Sequence, residues 1–191
     1  SYNDPNYNFL GNSINYYVTS KENDKPDSGY ENTIVAAGIG TAFEQFKNIY
    51  TDLGLSASYD DLRTLNTASE NLKKQSGNFS DLTGDYGIKY DTRNRSFKPT
   101  EGSIIYFNQS LPIYADKQSI SNSLSLSKYK AFTENAVFGS KFLISTITGV
   151  GDDDVRLSKR KNLSTRRLRG FEKNKIGPVD GTDHIGGNYT A

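Results

Sequence analysis

Apolar and polar residues alternate along most of this chain with a period of two, the pattern of β-strands that have one apolar face. The clearest segment is 82–91, where Leu82, Tyr86 and Ile88 share one face and Asp85 and Lys89 occupy the other. The alternation predicts seven strands and the start of an eighth, at 10–20, 33–43, 49–60, 82–91, 103–114, 119–127, 136–148 and from Gly187 onward. A helical turn or two is predicted within 65–75.

The connections between these segments alternate between short and long. Two sets are distinguished: compact turns at 46–48, 91–102 and 131–135, and long polar connections at 22–31, 62–80 and 149–186. Short turns on one side and long loops on the other are typical of an outer-membrane β-barrel, whereas a soluble sandwich does not segregate its loop lengths so regularly. The predicted fold class is therefore all-β, an antiparallel transmembrane β-barrel.

Alternation alone does not show which face meets water, because soluble barrels pack apolar residues inward and membrane barrels do the reverse. The polar face of 119–127 consists entirely of serine, which is a poor solubilising surface but an ordinary wall for a water-filled lumen. Tyr59, Tyr90 and Tyr114 stand near segment ends, where aromatic girdles meet the membrane interface. Both observations favour a membrane barrel, and a soluble β-protein stays open as the alternative.

Composition excludes several kinds of chemistry but does not identify the function. The net charge of +1 gives no strong field for nucleic acid, and the lack of cysteine excludes disulfides and thiolate chemistry. The single histidine, His184, lies in a Gly- and Asp-rich segment and is interpreted as solvated. No apolar run reaches the roughly 18 residues of a spanning helix. Because the chain contains no methionine, we interpret the sequence as processed or as an excerpt. Separately, the residue types present lead us to expect no metal, cofactor or enzymatic site.

The most distinctive polar segment is a basic run that ends in an Arg-Gly-Phe tip. The tip and the turn that follows it comprise Arg169, Gly170, Phe171, Ile176, Gly177 and Pro178. Arginine supplies a charged fork of five donors beside a flexible glycine and a bulky ring. This combination suits a loop tip that folds back and docks.

A second motif lies between two predicted strands. It comprises Asp91, Arg93, Asn94, Phe97, Pro99, Thr100 and Gly102. Pro99 fixes φ within the turn, and Gly102 supplies a permissive position before the next strand. Asp91 and Asn94 carry side chains that bond nearby backbone groups.

These two motifs, with 91–102 preceding 169–178 along the chain, resemble those of the bacterial surface antigen family, the BamA family of outer-membrane assembly factors. The Asp4-Pro5 and Phe9-Leu10-Gly11 segments resemble an earlier turn of that family, so the resemblance covers essentially the whole chain. The family often has a Gly-Gly pair before the Arg-Gly-Phe, where this chain has 162–167, and Leu168 replaces the usual valine. The path of the loop toward its tip is therefore expected to differ.

The resemblance implies a barrel of about sixteen strands preceded by periplasmic POTRA domains. On that register, residues 1–191 form a partial barrel domain of about the fifth to the twelfth strand, about half of the barrel as a curved meander, with a long loop at 149–186 that folds into the lumen. The POTRA domains, the first strands and the last strands are expected to lie outside this sequence, and 91–102 is expected to be a periplasmic turn.

The implied function is the insertion of β-barrel proteins into the bacterial outer membrane by a non-enzymatic insertase. Expected partners are unfolded outer-membrane proteins, accessory lipoproteins of the assembly complex, and outer-membrane lipid and lipopolysaccharide, without nucleic acid. The alternative is a two-partner secretion channel of the same superfamily, which passes unfolded polypeptide through its lumen.

The resemblance also implies roles for the loop tip. Arg169 is expected to pair with a carboxylate on the inner wall, while Gly170 permits the turn and Phe171 anchors it by packing. The carboxylate is expected beyond Ala191, with Asp85 and Asp91 as weaker candidates inside the chain. The basic run of Arg156, Lys159, Arg160, Lys161, Arg166 and Arg167 leaves three alternatives open: solvated or intramolecular contacts, lipid phosphates, and nucleic acid.

Overall fold

An open antiparallel sheet dominates the computed structural model, which describes residues 1–134, 136–172 and 175–191. The elements in chain order are β1 (Tyr2–Asp4), β2 (Ser13–Lys25), β3 (Tyr30–Phe46), β4 (Ile49–Thr64), α1 (Glu70–Lys73), β5 (Gly77–Asp91), β6 (Glu101–Ala115), β7 (Ser119–Thr133), β8 (Ala136–Gly149), β9 (Val179–Asp180), β10 (Asp183–His184) and β11 (Tyr189–Thr190). Within the described residues, nine strands form one sheet in the order β1 to β8 followed by β11, and β9 and β10 form a separate hairpin. The predicted all-β antiparallel meander is confirmed.

No helix among the described residues is long and apolar enough to cross a membrane.

Several strands run further than the alternation predicted. β2 continues to Lys25 and pairs there with Tyr30, so the long connection predicted at 22–31 is wrong and shrinks to four residues, 26–29. The reason is that both faces are polar beyond residue 20, which removes the apolar signal while the backbone hydrogen bonds of the ladder continue. The connection between β6 and β7 is also short, at 116–118, although it lies on the long-loop side.

The two faces of the sheet have different compositions, as the period of two requires. One face carries Asp60 and Asp81 and is covered by the chain that follows β8; we call it the inner face. In β7 it presents serines, and Ser123 lies opposite Ser145 of β8. The outer face exposes apolar side chains from neighbouring strands, among them Leu53, Leu55, Val35 and Ile88. Tyr59, Tyr90 and Tyr114 are likewise exposed at 46%, 40% and 58%, which agrees with the predicted aromatic positions.

Six of the eight buried apolar residues in the described part of the chain gather at the long-loop end of the inner face, and the other two, Leu143 and Ile147, lie on β8. This apolar cap consists of Tyr30, Leu62, Ala68, Leu72, Phe79 and Leu157, with Ile185 packed against it. The predicted helical turn contributes to the cap: α1 places Leu72 in it, and Ser69 caps the helix by accepting a hydrogen bond at Oγ from the Leu72 amide at 3.3 Å. The cap therefore joins three strand ends, α1 and the chain after β8 into one core.

The loop after β8 and its contacts with the inner wall

The segment 150–188 connects β8 to β11, and its residues Arg156, Ser158 and Lys159 lie against the inner face. It is joined to itself at Lys161 and Gly187, whose backbones exchange two hydrogen bonds of 3.1 and 2.8 Å. Residues 150–160 precede this bridge, and 162–186 form an excursion that leaves and returns at it. Both predicted loop motifs, 169–171 and 176–178, lie on this excursion.

A cluster of four charges holds the first part of the loop to two strands. We call Asp60, Asp81, Arg156 and Lys159 the wall cluster. Arg156 Nη2 lies 2.6 Å from Asp81 Oδ2, and Arg156 Nε lies 3.3 Å from Asp60 Oδ2. Lys159 Nζ adds a third ion pair, 3.0 Å from Asp81 Oδ2. The side chains of Arg156, Asp60 and Asp81 are at most 3% exposed, and Lys159 is partly buried beside them, so two positive charges balance two negative ones.

Neighbouring groups fix the geometry of the wall cluster. Ser158 Oγ donates to Asp60 Oδ2 at 2.5 Å and accepts from Arg156 Nε at 3.0 Å. Asn32 Nδ2 donates to the other oxygen of Asp60 at 2.6 Å. The guanidinium of Arg156 also lies 4.6 Å from the centre of the Phe79 ring, which connects the wall cluster to the apolar cap.

The wall cluster is balanced in charge but not saturated in hydrogen bonds. Among the described residues, Asp81 Oδ1 and Arg156 Nη1 are buried without a hydrogen-bond partner. Burial lowers the pKa of the Lys159 ammonium, the adjacent Arg156 lowers it further, and Asp81 acts in the opposite direction. Removing one partner of a buried ion pair typically costs about 3–5 kcal/mol, because the remaining charge is uncompensated. Each member of the wall cluster therefore depends on the others.

The returning part of the loop contacts α1 and the apolar cap. The Ser69 amide donates to Asp183 Oδ2 at 3.2 Å, and Ser69 Oγ donates to Asp180 Oδ2 at 3.0 Å. Ile185 packs on the apolar cap, and its amide donates to the Pro178 carbonyl at 3.1 Å. The loop is thus attached at both ends, by charge at its start and by hydrogen bonds and apolar packing at its return.

The Arg-Gly-Phe motif lies on the exposed side of the excursion. Arg169 is exposed, Gly170 has a positive φ of 90°, and Phe171 is 56% exposed. Within the described residues no ion pair involves Arg169. Its pairing with a carboxylate, and the anchoring role of Phe171, stay predictions. Gly177 also has a positive φ, of 123°.

Asp85 and Asp91, the carboxylates considered inside the chain for Arg169, have other partners. Asp85 accepts a hydrogen bond from Ser110 Oγ in the neighbouring strand. Asp91 binds Arg93 through a fork, with Arg93 Nε at 2.9 Å from Oδ1 and Nη2 at 2.7 Å from Oδ2. The structure therefore does not bring either carboxylate to Arg169.

The turn between β5 and β6 is closed by its own side chains. Asn94 Nδ2 donates to Thr100 Oγ1 at 2.7 Å, and Asn94 Oδ1 accepts from the Thr100 amide at 3.2 Å. Gly102 has a positive φ of 93°, and Pro99 lies between these anchoring residues. Phe97 is 79% exposed at the tip of the turn. The motif residues thus order a tight connection and leave one aromatic ring in solvent.

Sequence reasoning missed the wall carboxylates and assigned Arg156 only to a basic run. For four of the six basic residues the intramolecular alternative holds: Arg156 and Lys159 in the wall cluster, Arg160 bonded to the Val155 carbonyl at 3.0 Å, and Arg167 bonded to the Tyr189 hydroxyl. One local signal was available, because Arg156 stands between Val155 and Leu157 and so interrupts an apolar pair. Nothing comparable distinguished Asp60 or Asp81 from other polar-face residues.

Comparisons with known proteins cover the whole chain at the level of family and most of it at the level of fold. The family model described as "Omp85 superfamily domain" matches residues 1–191. The chain is 29% identical over 124 residues to the "Sorting and assembly machinery component 50 homolog" of Homo sapiens, and 28% identical over 124 residues to that of Mus musculus. Each match covers 63% of this chain and 26% of the relative, so the matched part spans about a quarter of those proteins.

A solved structure shows the same fold. The crystal structure of BamA from Haemophilus ducreyi lacking POTRA domains 1–3 superposes with a TM-score of 0.78 at 20% sequence identity. The match covers 92% of this chain and 37% of that one. The open sheet described above therefore corresponds to part of a larger barrel fold.

Proposed function

This chain belongs to the Omp85 superfamily, and on that basis we propose that the full-length protein assembles and inserts β-barrel proteins into the bacterial outer membrane. The observation that carries the proposal is the superfamily match over all 191 residues. The mammalian relatives, which are named as components of a sorting and assembly machinery, favour assembly over the secretion-channel alternative. The bacterial location is supported by the resemblance of the turn and loop motifs to the bacterial family.

The proposed mechanism requires no covalent chemistry. Unfolded outer-membrane proteins are the proposed substrates, and accessory lipoproteins, outer-membrane lipid and lipopolysaccharide are the proposed partners. We propose that this chain supplies about the fifth to the twelfth strand of the barrel, with 91–102 as a periplasmic turn and 150–188 as the loop on the lumen side. The inner-face position of the wall cluster supports this placement of the loop.

Depletion of the full-length protein from its host tests the function directly. We expect the amounts of many folded outer-membrane β-barrel proteins to fall together, measured by heat-modifiable mobility of membrane fractions, while inner-membrane proteins keep their amounts. Loss of one secreted polypeptide with unchanged barrel proteins would indicate the channel instead. Unchanged amounts of both would contradict membership of either functional class.

Substitution of Arg169 tests the loop tip. We expect Arg169→Ala in the full-length protein to lower barrel assembly and slow growth, because an arginine fork that binds a carboxylate in a confined lumen is not replaced by a methyl group. Arg166→Ala is the matched control, since Arg166 is an exposed basic residue of the same loop. Normal growth and normal heat-modifiable folding of the Arg169 variant in a complementation assay would refute the role.

A further inference from the structure

Arg156 of the wall cluster lies five residues before Lys161, at the bridge where the excursion 162–186 begins and ends. We propose that Arg156 is the positioning residue of this loop. Its guanidinium keeps the loop against two inner-face strands, and this contact sets the position of the Arg-Gly-Phe motif. The proposal deepens the proposed function and depends on it only for its growth readout.

Geometry makes arginine the required residue at this position. Arg156 Nη2 donates to Asp81 at 2.6 Å, while its Nε lies 3.3 Å from Asp60 Oδ2. The same Nε donates to Ser158 Oγ, which in turn donates to Asp60. One planar group thus binds carboxylates of β4 and β5 together, one of them through Ser158. A lysine ammonium is a compact point charge and does not reproduce this fork. The face of the same guanidinium lies over the Phe79 ring. Arg156 thereby joins two strands, the apolar cap and the loop.

The backbone transmits this position to the excursion. Leu157 follows Arg156 and is 1% exposed in the apolar cap, and Lys159 adds its own ion pair to Asp81. Lys161 then forms the bridge with Gly187 that closes the excursion. Because 162–186 leaves and returns at one bridge, a shift of 156–161 displaces both ends of the excursion at once.

Because the charges of the wall cluster balance one another, its ion pairs stabilise the loop position cooperatively. Without Arg156, Asp60 and Asp81 are buried carboxylates that face one partly buried ammonium. Among the described residues Asp81 Oδ1 already lacks a hydrogen-bond partner, so without Arg156 this buried carboxylate keeps only the ion pair of Oδ2 with Lys159. Removal of the charges on both sides is expected to cost much less than removal of one, as for other buried ion pairs.

Alkylation of a cysteine at position 68 measures whether the loop covers the wall. Ala68 is 4% exposed, lies in the apolar cap with Leu157, and takes no part in the wall cluster. In full-length protein in outer membranes that carries Ala68→Cys, we expect Arg156→Met to raise the alkylation rate at residue 68, located by mass spectrometry, at least about tenfold. Arg166→Met is the control and is expected to leave the rate unchanged. Heat-modifiable mobility confirms that the barrel is folded in each variant.

Two further variants separate positioning from bulk packing. Arg156→Lys keeps the charge but not the fork, and we expect alkylation faster than in the parent protein. The variant that combines Arg156→Met with Asp60→Asn removes the charge imbalance, because Lys159 and Asp81 keep their ion pair, and we expect its rate to return toward that of the parent. Equal rates for Arg156→Met and Arg166→Met, or a combined Arg156→Met, Asp60→Asn variant as open as Arg156→Met alone, would overturn the proposal. If Arg156→Met does not fold, an Arg156→Lys rate equal to that of the parent protein overturns it.

A double variant tests the connection to the loop tip. If Arg156 acts through the Arg-Gly-Phe motif, the growth defects of Arg156→Met and Arg169→Ala do not multiply when combined. Multiplied defects would show that Arg156 acts elsewhere and would overturn the positioning role. The alkylation rate does not depend on assembly activity. Faster alkylation in Arg156→Met together with unimpaired barrel assembly would therefore contradict the function proposed for the loop, while still showing that Arg156 keeps the loop in place.

Discussion

Replacement of Gly102 by alanine is expected to destabilise the turn between β5 and β6 by about 2–5 kcal/mol, the sum of a backbone and a steric cost. Gly102 has a φ of +93°, which residues with a Cβ rarely adopt. A Cβ placed there meets the Thr92 carbonyl oxygen and lies 2.7 Å from Arg93 Cα. Both obstacles are backbone atoms of the turn itself, so no side-chain rotation relieves the clash.

Gly181→Ala is the matched control for the Gly102 variant. Gly181 also has a positive φ, of 63°, but a Cβ there meets nothing within 4 Å. It is expected to show the backbone cost alone, roughly 1–2 kcal/mol. Urea unfolding of the full-length protein refolded in lipid measures both. Equal destabilisation by the two variants would show that the contact with the turn backbone does not matter.

The second large effect is expected at Leu62, which is 1% exposed in the apolar cap. Leu62→Ala removes buried methyl groups and leaves a cavity, which typically costs about 2–5 kcal/mol. We expect the loss to appear as faster hydrogen exchange at the Leu65 amide, which donates to the Gly29 carbonyl at 2.9 Å and closes the same cap. Global unfolding of the strands is expected to change less, because their ladder does not depend on the cap.

Leu55→Ala on the same strand provides the comparison. Leu55 is 44% exposed on the outer face, where surrounding lipid or detergent replaces the lost contacts. It is expected to change stability by no more than about 1 kcal/mol. If exchange at Leu65 responds equally to both variants, the apolar cap does not hold the loops together.

The sequence predicted the strands because their apolar faces repeat locally, and it missed their ends for the same reason. Residues such as Glu22, Asp24 and Glu31 present no apolar face, yet they continue the ladder between β2 and β3. The edge strand β1 was also missed, since Tyr2–Asp4 is too short for a period to be visible. The last strand begins at Tyr189, two residues later than predicted, because Gly187 is used by the bridge to Lys161.

In the candidate site, too, the sequence predicted contacts between neighbouring residues and missed contacts between distant ones. The turn chemistry of Asn94 and Thr100 acts over six residues and was accessible from the order of residue types. The contact between Arg156 and Asp81 joins residues 75 positions apart, and no pattern within one sequence pairs them. Physical chemistry supplies the rule that buried charges need partners, but only the register of the strands shows which carboxylates are available.

The distance along the chain between the partners of the wall cluster also bears on the order of folding. Ser158 and Asp60 are 98 positions apart, and β5 to β8 lie between them. Each hairpin can zip from its own turn, whereas the contact of Arg156 with Asp60 and Asp81 must wait until β4 and β5 are paired and β8 is complete. We therefore expect burial of the loop to be among the last events in the maturation of this part of the barrel. Protease resistance of the loop is then expected to develop after that of the strands, as a sign that the wall behind it is finished.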